Sequence, residues 1–182
     1  MKFISFCRNG VSSFGAVLSD SKEADSKETE SKEAGGETQK TIVDLGARYP
    51  DYPDLRAVLR AGKLQELSAL AADLPADFAQ ADIEYLPTIP NAEKIICIGV
   101  NYANRNAEYQ DNSDLPEYPS VFMRTRESLV GHEQPLIDPP ESDQLDYEGE
   151  IVLVVGKEGR RISQADAPVS YTHLTLPTIL LV

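Results

Sequence analysis

The chain has 182 residues, an apolar fraction of 41% and a net charge of −13. This length suits one or two domains, and the apolar fraction is sufficient for a core. The negative charge argues against binding to nucleic acid or to anionic membrane surfaces, because both repel an acidic protein. No apolar run approaches the ~20 residues of a membrane-spanning helix, and the first residues lack the apolar length of a signal peptide.

Two strands and a tight turn are predicted at the start of the chain. Met1–Arg8 and Val11–Leu18 have strand-like sequences, and Asn9-Gly10 between them tolerates the positive φ of a two-residue hairpin turn. Residues 20–40 then hold seven acidic and four basic side chains in a Ser-Lys-Glu repeat. A segment with so few apolar side chains cannot bury enough surface to offset the entropy lost when its backbone is ordered. We therefore expect a disordered insert. Thr41–Leu45 predicts a further strand.

Two short helices follow. Asp54–Ala61 and Leu64–Leu74 place their leucines on one helical face, and Gly62 is a typical helix stop. The proline-containing segment 78–90 is expected to be an irregular linker that packs on its neighbours. We therefore predict a domain boundary near Pro90.

The region after Pro90 reads as short strands with few helices. Lys94–Val100 and Ser120–Met123 predict strands, and Asn101–Gln110 predicts a helix between them. The apolar, β-branched run within Glu148–Val155 predicts a buried strand. This pattern is typical of a β-rich domain. The surroundings of the two cysteines, Cys7 and Cys97, are apolar and strand-like, as expected for reduced residues in the core of a cytoplasmic protein.

Two glutamates begin the last of these strands. Side chains alternate along a strand, so Glu148 and Glu150 are expected on one face, with space left between them by Gly149. Two neighbouring carboxylates repel each other and are costly to desolvate, and a divalent cation removes both problems. Oxygen ligands suit Mg²⁺, Mn²⁺ or Ca²⁺. The spacing alone, which is common in proteins, favours a solvated strand end with two surface glutamates.

Three sequence blocks occur in a characteristic order. They are Gly-Val-Asn-Tyr at 99–102, Pro-Ser-Val-Phe-Met-Arg at 119–124, and Asp-Tyr-Glu-Gly-Glu at 146–150, which Val-Gly-Lys soon follows. Because the three blocks occur in this order, the segment from Lys94 to Ala167 resembles the fumarylacetoacetate hydrolase family. The resemblance implies an α+β protein with a small N-terminal α/β domain, residues 1–90. It also implies a catalytic domain that is a β-rich mixed β-roll of the family's C-terminal type, incomplete here and begun by residues 91–168.

The resemblance assigns a metal site and a catalytic pair. Glu148 and Glu150 would bind the catalytic divalent metal, and the family's third carboxylate falls at or beyond the end of this chain. In the helix after Tyr102 the family has a His and, three residues later, a Glu that together activate water. This chain keeps Glu108 but has Arg105 at the His position. Arginine stays protonated and cannot be a general base, so Glu108 acts alone, the chemistry differs, or the two residues form an ordinary ion pair.

Three further residues are implied in substrate binding. Arg124 stands where the family usually has a lysine beside the substrate, and its guanidinium could bind a carboxylate through two hydrogen bonds. Tyr102 belongs to the first block, and His132 lies on a loop that could approach the site. A single loop histidine is more often structural than catalytic.

The function implied by the resemblance is enzymatic. We expect a metal-dependent hydrolase, isomerase or hydratase of catabolism that acts on a 2-oxo or 1,3-dioxo acid by C–C cleavage or enolate chemistry. Its partner is then a small-molecule substrate, and the full-length protein is expected to be a homodimer. A ureidoglycolate-type lyase is the alternative enzyme, and an inactive fragment or a binding module is the non-enzymatic alternative.

The last residues carry a separate signal. Val169–Thr178 matches the translation of a transposase-type sequencing adapter. We therefore expect residues 169–182 to be an artefactual tail, as with other sequence scars, and the natural protein to continue past Pro168. On this hypothesis the 182-residue chain is inactive by itself, because the third metal ligand and the neighbours of the Ile151–Val155 strand are missing.

Overall fold

The computed structural model describes residues 1–18, 40–99, 117–143, 145–175 and 178–181. For residues 146–148 and 169–181 only the backbone is described. The predicted disordered insert, apart from residue 40, and the predicted helix at 101–110 lie outside the described residues. The elements that are described make the chain an α+β protein.

The N-terminal region is built on one antiparallel sheet. Its strands lie in the order β4-β3-β2-β1-β5, and they are β1 (Lys2–Arg8), β2 (Val11–Leu18), β3 (Thr41–Asp44), β4 (Phe78–Ala79) and β5 (Glu84–Tyr85). The predicted hairpin is confirmed. Asn9 and Gly10 have φ values of 52° and 78°, so both turn residues occupy the left-handed region that this turn requires.

Three short helices pack on this sheet: α1 (Leu45–Arg48), α2 (Leu55–Arg60) and α3 (Leu64–Ala72). The carboxylate of Asp54 accepts a hydrogen bond from the backbone N–H of Ala57 at 2.8 Å, which caps α2. Asp44 caps α1 in the same way, so the predicted third strand ends one residue early and Leu45 begins a helix. The buried core lies between the sheet and the helices and consists of Phe14, Ala16, Val43, Leu45, Leu55, Val58, Leu67 and Ala71.

The segment predicted to be an irregular linker supplies both edge strands of the sheet. Phe78 pairs with Ile42 in β3, and Tyr85 pairs with Phe6 in β1. Beyond β5, the hydroxyl of Ser5 donates to the carbonyl of Thr88 at 2.8 Å. These bonds attach the segment along its length to the N-terminal sheet, so it belongs to that packing unit.

The region after residue 93 has a different organisation. Its strands are β6 (Ile95–Gly99), β7 (Ser120–Arg124), β8 (Asp146–Gly149), β9 (Val152–Val155), β10 (Tyr171–Thr175) and β11 (Thr178–Leu181). In the described part they pair two by two, β6 with β7, β8 with β11 and β9 with β10. The predicted strands at 94–100 and 120–123 are therefore confirmed to within about a residue.

The prediction of one buried strand over Glu148–Val155 is wrong in two respects. The strand is interrupted, because β8 ends at Gly149 and β9 begins at Val152. It is also not buried, since the exposed fractions of Ile151, Leu153 and Val155 are 54%, 44% and 68%. Apolar composition indicates which side chains could be buried, but burial also requires a packed layer over the strand.

The segment assigned to an artefactual tail forms β10 and β11 in the structure. Their backbones pair with β9 and β8, with Tyr171 opposite Val155 and Ile179 opposite Glu148. Strand pairing does not test where a sequence comes from, so the adapter hypothesis stays a prediction. Resequencing the source locus across residues 168–169 checks it: recovery of the same codons from genomic DNA would contradict it.

Two simpler predictions concern the cysteines and membrane spans. Cys7 and Cys97 are both free thiols, and Cys97 is buried in β6, as expected for reduced cysteines in apolar surroundings. Among the helices that the structure describes, none has the length and apolar character needed to cross a membrane.

Candidate active site

Arg124 ends β7 with its side chain half-buried. Its guanidinium carbon lies 4.8 Å from the centre of the Phe122 ring, within the range of a cation–π contact. Phe122 and Arg124 are two residues apart in the strand, so their side chains share a face. The aromatic ring supports the charged group beside the strand end, where the guanidinium donors could bind an anionic group.

The neighbouring arginine is differently placed. The Nε of Arg126 donates to the carboxylate of Glu127 at 2.9 Å, and both side chains are exposed. This hydrogen bond is the main reason that the pKa of Glu127 lies below its ordinary value. The charge of Arg126 is therefore partly offset locally, which makes Arg124 the better candidate for substrate binding.

His132 lies in a turn that rests on the N-terminal sheet. Its ring meets the ring of Tyr85 edge to face, with centroids 5.1 Å apart and an interplanar angle of 80°. Its Nε2 is 3.7 Å from a carboxylate oxygen of Glu133, although 69% of the histidine side chain is exposed. Burial, and secondarily the charge of Glu133, raises the pKa of the Tyr85 hydroxyl.

The two predicted metal ligands flank Gly149. Glu148 is in β8 and its side chain lies outside the described part, whereas Glu150 follows the strand and is half-buried. Because Glu150 is outside the strand, the simple alternation that placed both carboxylates on one face does not apply. Among the described residues, no atom beyond its two neighbours lies within 4 Å of the position that a Cβ on Gly149 would take. Within the described part of the chain, the position beside this glycine is therefore open, and the space expected between the two carboxylates stays a prediction.

The donor chemistry of this segment suits a hard cation. Carboxylate oxygens are preferred by Mg²⁺, Mn²⁺ and Ca²⁺, and Mg²⁺ keeps several waters when few protein ligands are available. In the described part of the chain no group of three or more His, Cys, Asp or Glu residues is gathered in a metal-binding arrangement. The side chain of Glu148 lies outside the described part, so the two-glutamate site stays a prediction.

The site residues lie on separate segments. Arg124 ends β7, His132 lies in the following loop and Glu150 follows β8. Tyr102, Arg105 and Glu108 lie outside the described residues. Tyr85, the residue on which His132 rests, has no signal in the sequence, because no local pattern links residues so far apart along the chain.

The profile of the Fumarylacetoacetate (FAA) hydrolase C-terminal family matches residues 94–174. That span contains all three sequence blocks and both glutamates. Residues 94–174 therefore carry the C-terminal domain signature of the fumarylacetoacetate hydrolase family. The match also covers the first residues of the segment that the adapter hypothesis excludes.

Two relatives of the chain are named for the same activity. The chain is 36% identical over 129 residues to the mitochondrial oxaloacetate tautomerase fahd2 of Xenopus laevis, covering 69% of this chain and 40% of that protein. It is 38% identical over 105 residues to the oxaloacetate tautomerase YisK of Bacillus subtilis (strain 168), covering 57% of this chain and 34% of that protein. The chain thus spans less than half the length of either relative.

The fold is shared with solved members of the family. The fumarylacetoacetate hydrolase of Exiguobacterium antarcticum superposes with a TM-score of 0.63 at 19% identity, covering 99% of this chain and 56% of that chain. At this level of identity the likeness shows the fold alone. It extends over the N-terminal sheet as well as the region that the family profile matches.

Proposed function

We propose that the protein is a metal-dependent isomerase that interconverts the keto and enol forms of a 2-oxo dicarboxylic acid such as oxaloacetate. The observation that carries the proposal is the similarity to two oxaloacetate tautomerases. It is supported by the Asp-Tyr-Glu-Gly-Glu block within the family match and by the open space beside Gly149.

Glu148 and Glu150 would hold the cation, with water or a further carboxylate completing the shell. Mg²⁺ is the expected ion, and Mn²⁺ or Ca²⁺ has compatible ligand chemistry. When bound, such a cation supplies a Lewis acid that polarises the 2-oxo carbonyl and stabilises enolate charge. The chain's own contribution is a pair of hard oxygen donors separated by a glycine that leaves room for ion and substrate.

Arg124 would bind the distal carboxylate of the substrate. The Phe122 ring supports its guanidinium from one side, which leaves the planar donors available for two parallel hydrogen bonds. A dicarboxylic acid offers one carboxylate for this arginine, while its 2-oxo acid end faces the glutamates. This division of roles favours a 2-oxo diacid over a simple 2-oxo acid.

The replacement of the family histidine by Arg105 favours isomerisation over C–C hydrolysis. Hydrolysis needs an activated water, which the His–Glu pair supplies in the family. Tautomerisation requires only that a proton leaves the carbon next to the carbonyl and that the carbonyl oxygen gains one. A single base, Glu108, is sufficient for the first transfer. Arg105, which stays protonated, is not required as a second base.

The test compares turnover with metal binding in the full-length protein. We expect Mg²⁺-dependent decay of the ultraviolet absorbance of enol-oxaloacetate. Glu148→Gln with Glu150→Gln should abolish both this activity and calorimetric Mg²⁺ binding, and Arg124→Gln should raise KM. The exposed Arg160 provides the matched control, Arg160→Gln, which should behave as wild type. Equal metal affinity in wild type and the double variant would refute the metal site.

Two statements about the protein as a whole belong to the same proposal. We expect the full-length protein to be a homodimer, which sedimentation of the purified protein checks. We expect the 182-residue chain to show no turnover in the same assay. Comparable turnover and cooperative unfolding of the two proteins would show that residues 1–182 are sufficient for the site.

A further inference from the structure

The turn that bears His132 is in backbone contact with the N-terminal sheet. Gly131 is buried, and a Cβ at this position would lie 1.9 Å from the carbonyl oxygen of Tyr85 and 2.6 Å from its carbonyl carbon. Both are main-chain atoms, so no side-chain rotation could relieve the clash. Only glycine allows the turn to approach β5 this closely.

The surface beneath the turn is held in place. Tyr85 pairs with Phe6 in the neighbouring strand, and the backbone N–H of Leu86 donates to the carbonyl of Ser5 at 3.0 Å. The Ser5 hydroxyl then donates to Thr88, and Ser5 is itself buried. A side chain added at Gly131 would therefore displace the turn and leave β5 in place.

The internal geometry of the turn determines the direction of His132. The N–H of Gln134 donates to the carbonyl of Gly131 at 3.1 Å, and Glu133 has a φ of 63°. His132 is thus the exposed corner of a closed turn, with the Tyr85 ring against its edge. With the Tyr85 ring on one side and the Glu133 carboxylate 3.7 Å from Nε2, 69% of the histidine side chain is still exposed, and its other ring nitrogen can face a ligand.

We propose that Tyr85 and Gly131 are positioning residues that hold His132 where its ring N–H can hydrogen-bond a carboxylate oxygen of the substrate. The proposal rests on the proposed function, since it assigns a group of the N-terminal sheet to the same substrate. Its consequence is that the N-terminal region contributes to substrate affinity through Tyr85, although it lies outside the segment that the family profile matches.

The test uses substitutions on both sides of the contact between Tyr85 and the turn that bears His132. Tyr85→Leu removes the ring, Tyr85→Phe keeps it, and Gly131→Ala displaces the turn. The matched controls are Tyr118→Leu, because Tyr118 is 75% exposed, and Gly159→Ala, because only the end of the Ile162 side chain is close to Gly159. His132→Gln reports the role of the imidazole itself, and thermal unfolding verifies that each variant folds.

Two measurements follow from the proposal. In nuclear magnetic resonance spectra of the 182-residue chain, Tyr85→Leu and Gly131→Ala should shift the ring signals of His132, while both controls leave them unchanged. In the active protein of the preceding assay, the same two substitutions and His132→Gln should each raise KM for oxaloacetate about tenfold with little change in kcat, the size expected for one lost hydrogen bond to a charged group. Tyr85→Phe, which keeps the ring, should have the wild-type KM.

The outcomes separate this proposal from the proposed function. Wild-type turnover combined with an unchanged KM in His132→Gln would overturn the role of His132 and leave the isomerase proposal intact. A raised KM in His132→Gln but not in Gly131→Ala or Tyr85→Leu would overturn the positioning role. Absence of turnover in the wild-type protein would overturn the proposed function and, with it, the assignment to substrate binding.

Discussion

The two regions of the molecule differ in how their apolar side chains are covered. In the N-terminal region a five-stranded sheet and three helices enclose a core in which Phe14, Val43 and Val58 have no exposed surface. In the second region, the side chains along one face of the β6–β7 pair are open to solvent. Ile96 opposes Met123 and Ile98 opposes Val121, and these four side chains are between 42% and 63% exposed.

The difference shows that similar strand sequences can have unequal stabilities. Both regions contain apolar, β-branched strands, but two-stranded sheets are at best marginally stable without a covering layer. A residue contributes the free energy of burial only when another element excludes water from it. The folding stability of this chain should therefore reside mainly in the N-terminal region, and four experiments test this expectation.

The largest expected effect comes from matched truncations in the two regions. Phe14→Ala should lower the free energy of unfolding by about 3–5 kcal/mol, because it leaves a cavity in a closed core. Val121→Ala should change it by less than about 0.5 kcal/mol, because 63% of this side chain is already in water. Urea unfolding followed by circular dichroism measures both. A larger loss for Val121→Ala than for Phe14→Ala would reverse the comparison.

The junction between the regions provides the second experiment. Asp54 caps α2 and also accepts a hydrogen bond from the amide of Asn91 at 2.7 Å. Asp54→Ala should therefore destabilise the chain by about 1–2 kcal/mol, the upper part of the range for a lost N-cap. The exposed Asp51 is the matched control, and Asp51→Ala should leave the unfolding midpoint unchanged. Equal midpoints for the two variants would show that the cap and its bond to Asn91 contribute little.

Hydrogen exchange tests the comparison without any substitution. Amides in β1 and β2 should exchange only by opening of the whole N-terminal region, because their strands are paired within the enclosed sheet. Amides in β6 and β7 should exchange faster. The difference should be roughly a hundredfold if opening this strand pair costs about 3 kcal/mol less than opening the N-terminal region. Similar protection in the two strand pairs would mean that the regions unfold as one cooperative unit.

The smallest effect concerns the ion pair between Arg56 of α2 and the exposed Glu93, at the junction between the two regions. A hydrogen bond from Arg56, and then the charge of Arg56, holds the pKa of Glu93 below its ordinary value of 4.5. A carboxyl group whose pKa is lower in the folded state than in the unfolded state stabilises the fold, and the whole contribution is present above the unfolded-state pKa. The contribution is lost as the pH falls through the folded-state pKa. Stability should therefore fall less steeply below about pH 4.5 in Glu93→Gln than in wild type. Acid unfolding curves of the two proteins, with exposed Glu66→Gln as a second comparison, measure the difference.

Local sequence signals were sufficient where the determining contacts are local. Asn9-Gly10 predicted the hairpin because backbone preference alone selects that turn. The leucine spacing and Gly62 predicted α2, and the cap from Asp54 that begins this helix bonds to a residue only three positions away. The ordered blocks between residues 99 and 150 were sufficient to indicate the family, because together they are specific even though each alone is not. These features depend on residues close together in the chain.

Other features were decided only by tertiary structure. Phe78–Ala79 and Glu84–Tyr85 are too short to show a strand period, and they are strands because β3 and β1 offer them partners. The apolar run at 151–155 has the composition of a buried strand, yet burial depends on what covers it. Gly131 and Tyr85 are separated by 46 positions in the sequence, and the requirement for glycine exists only because the folded chain presses one backbone against the other.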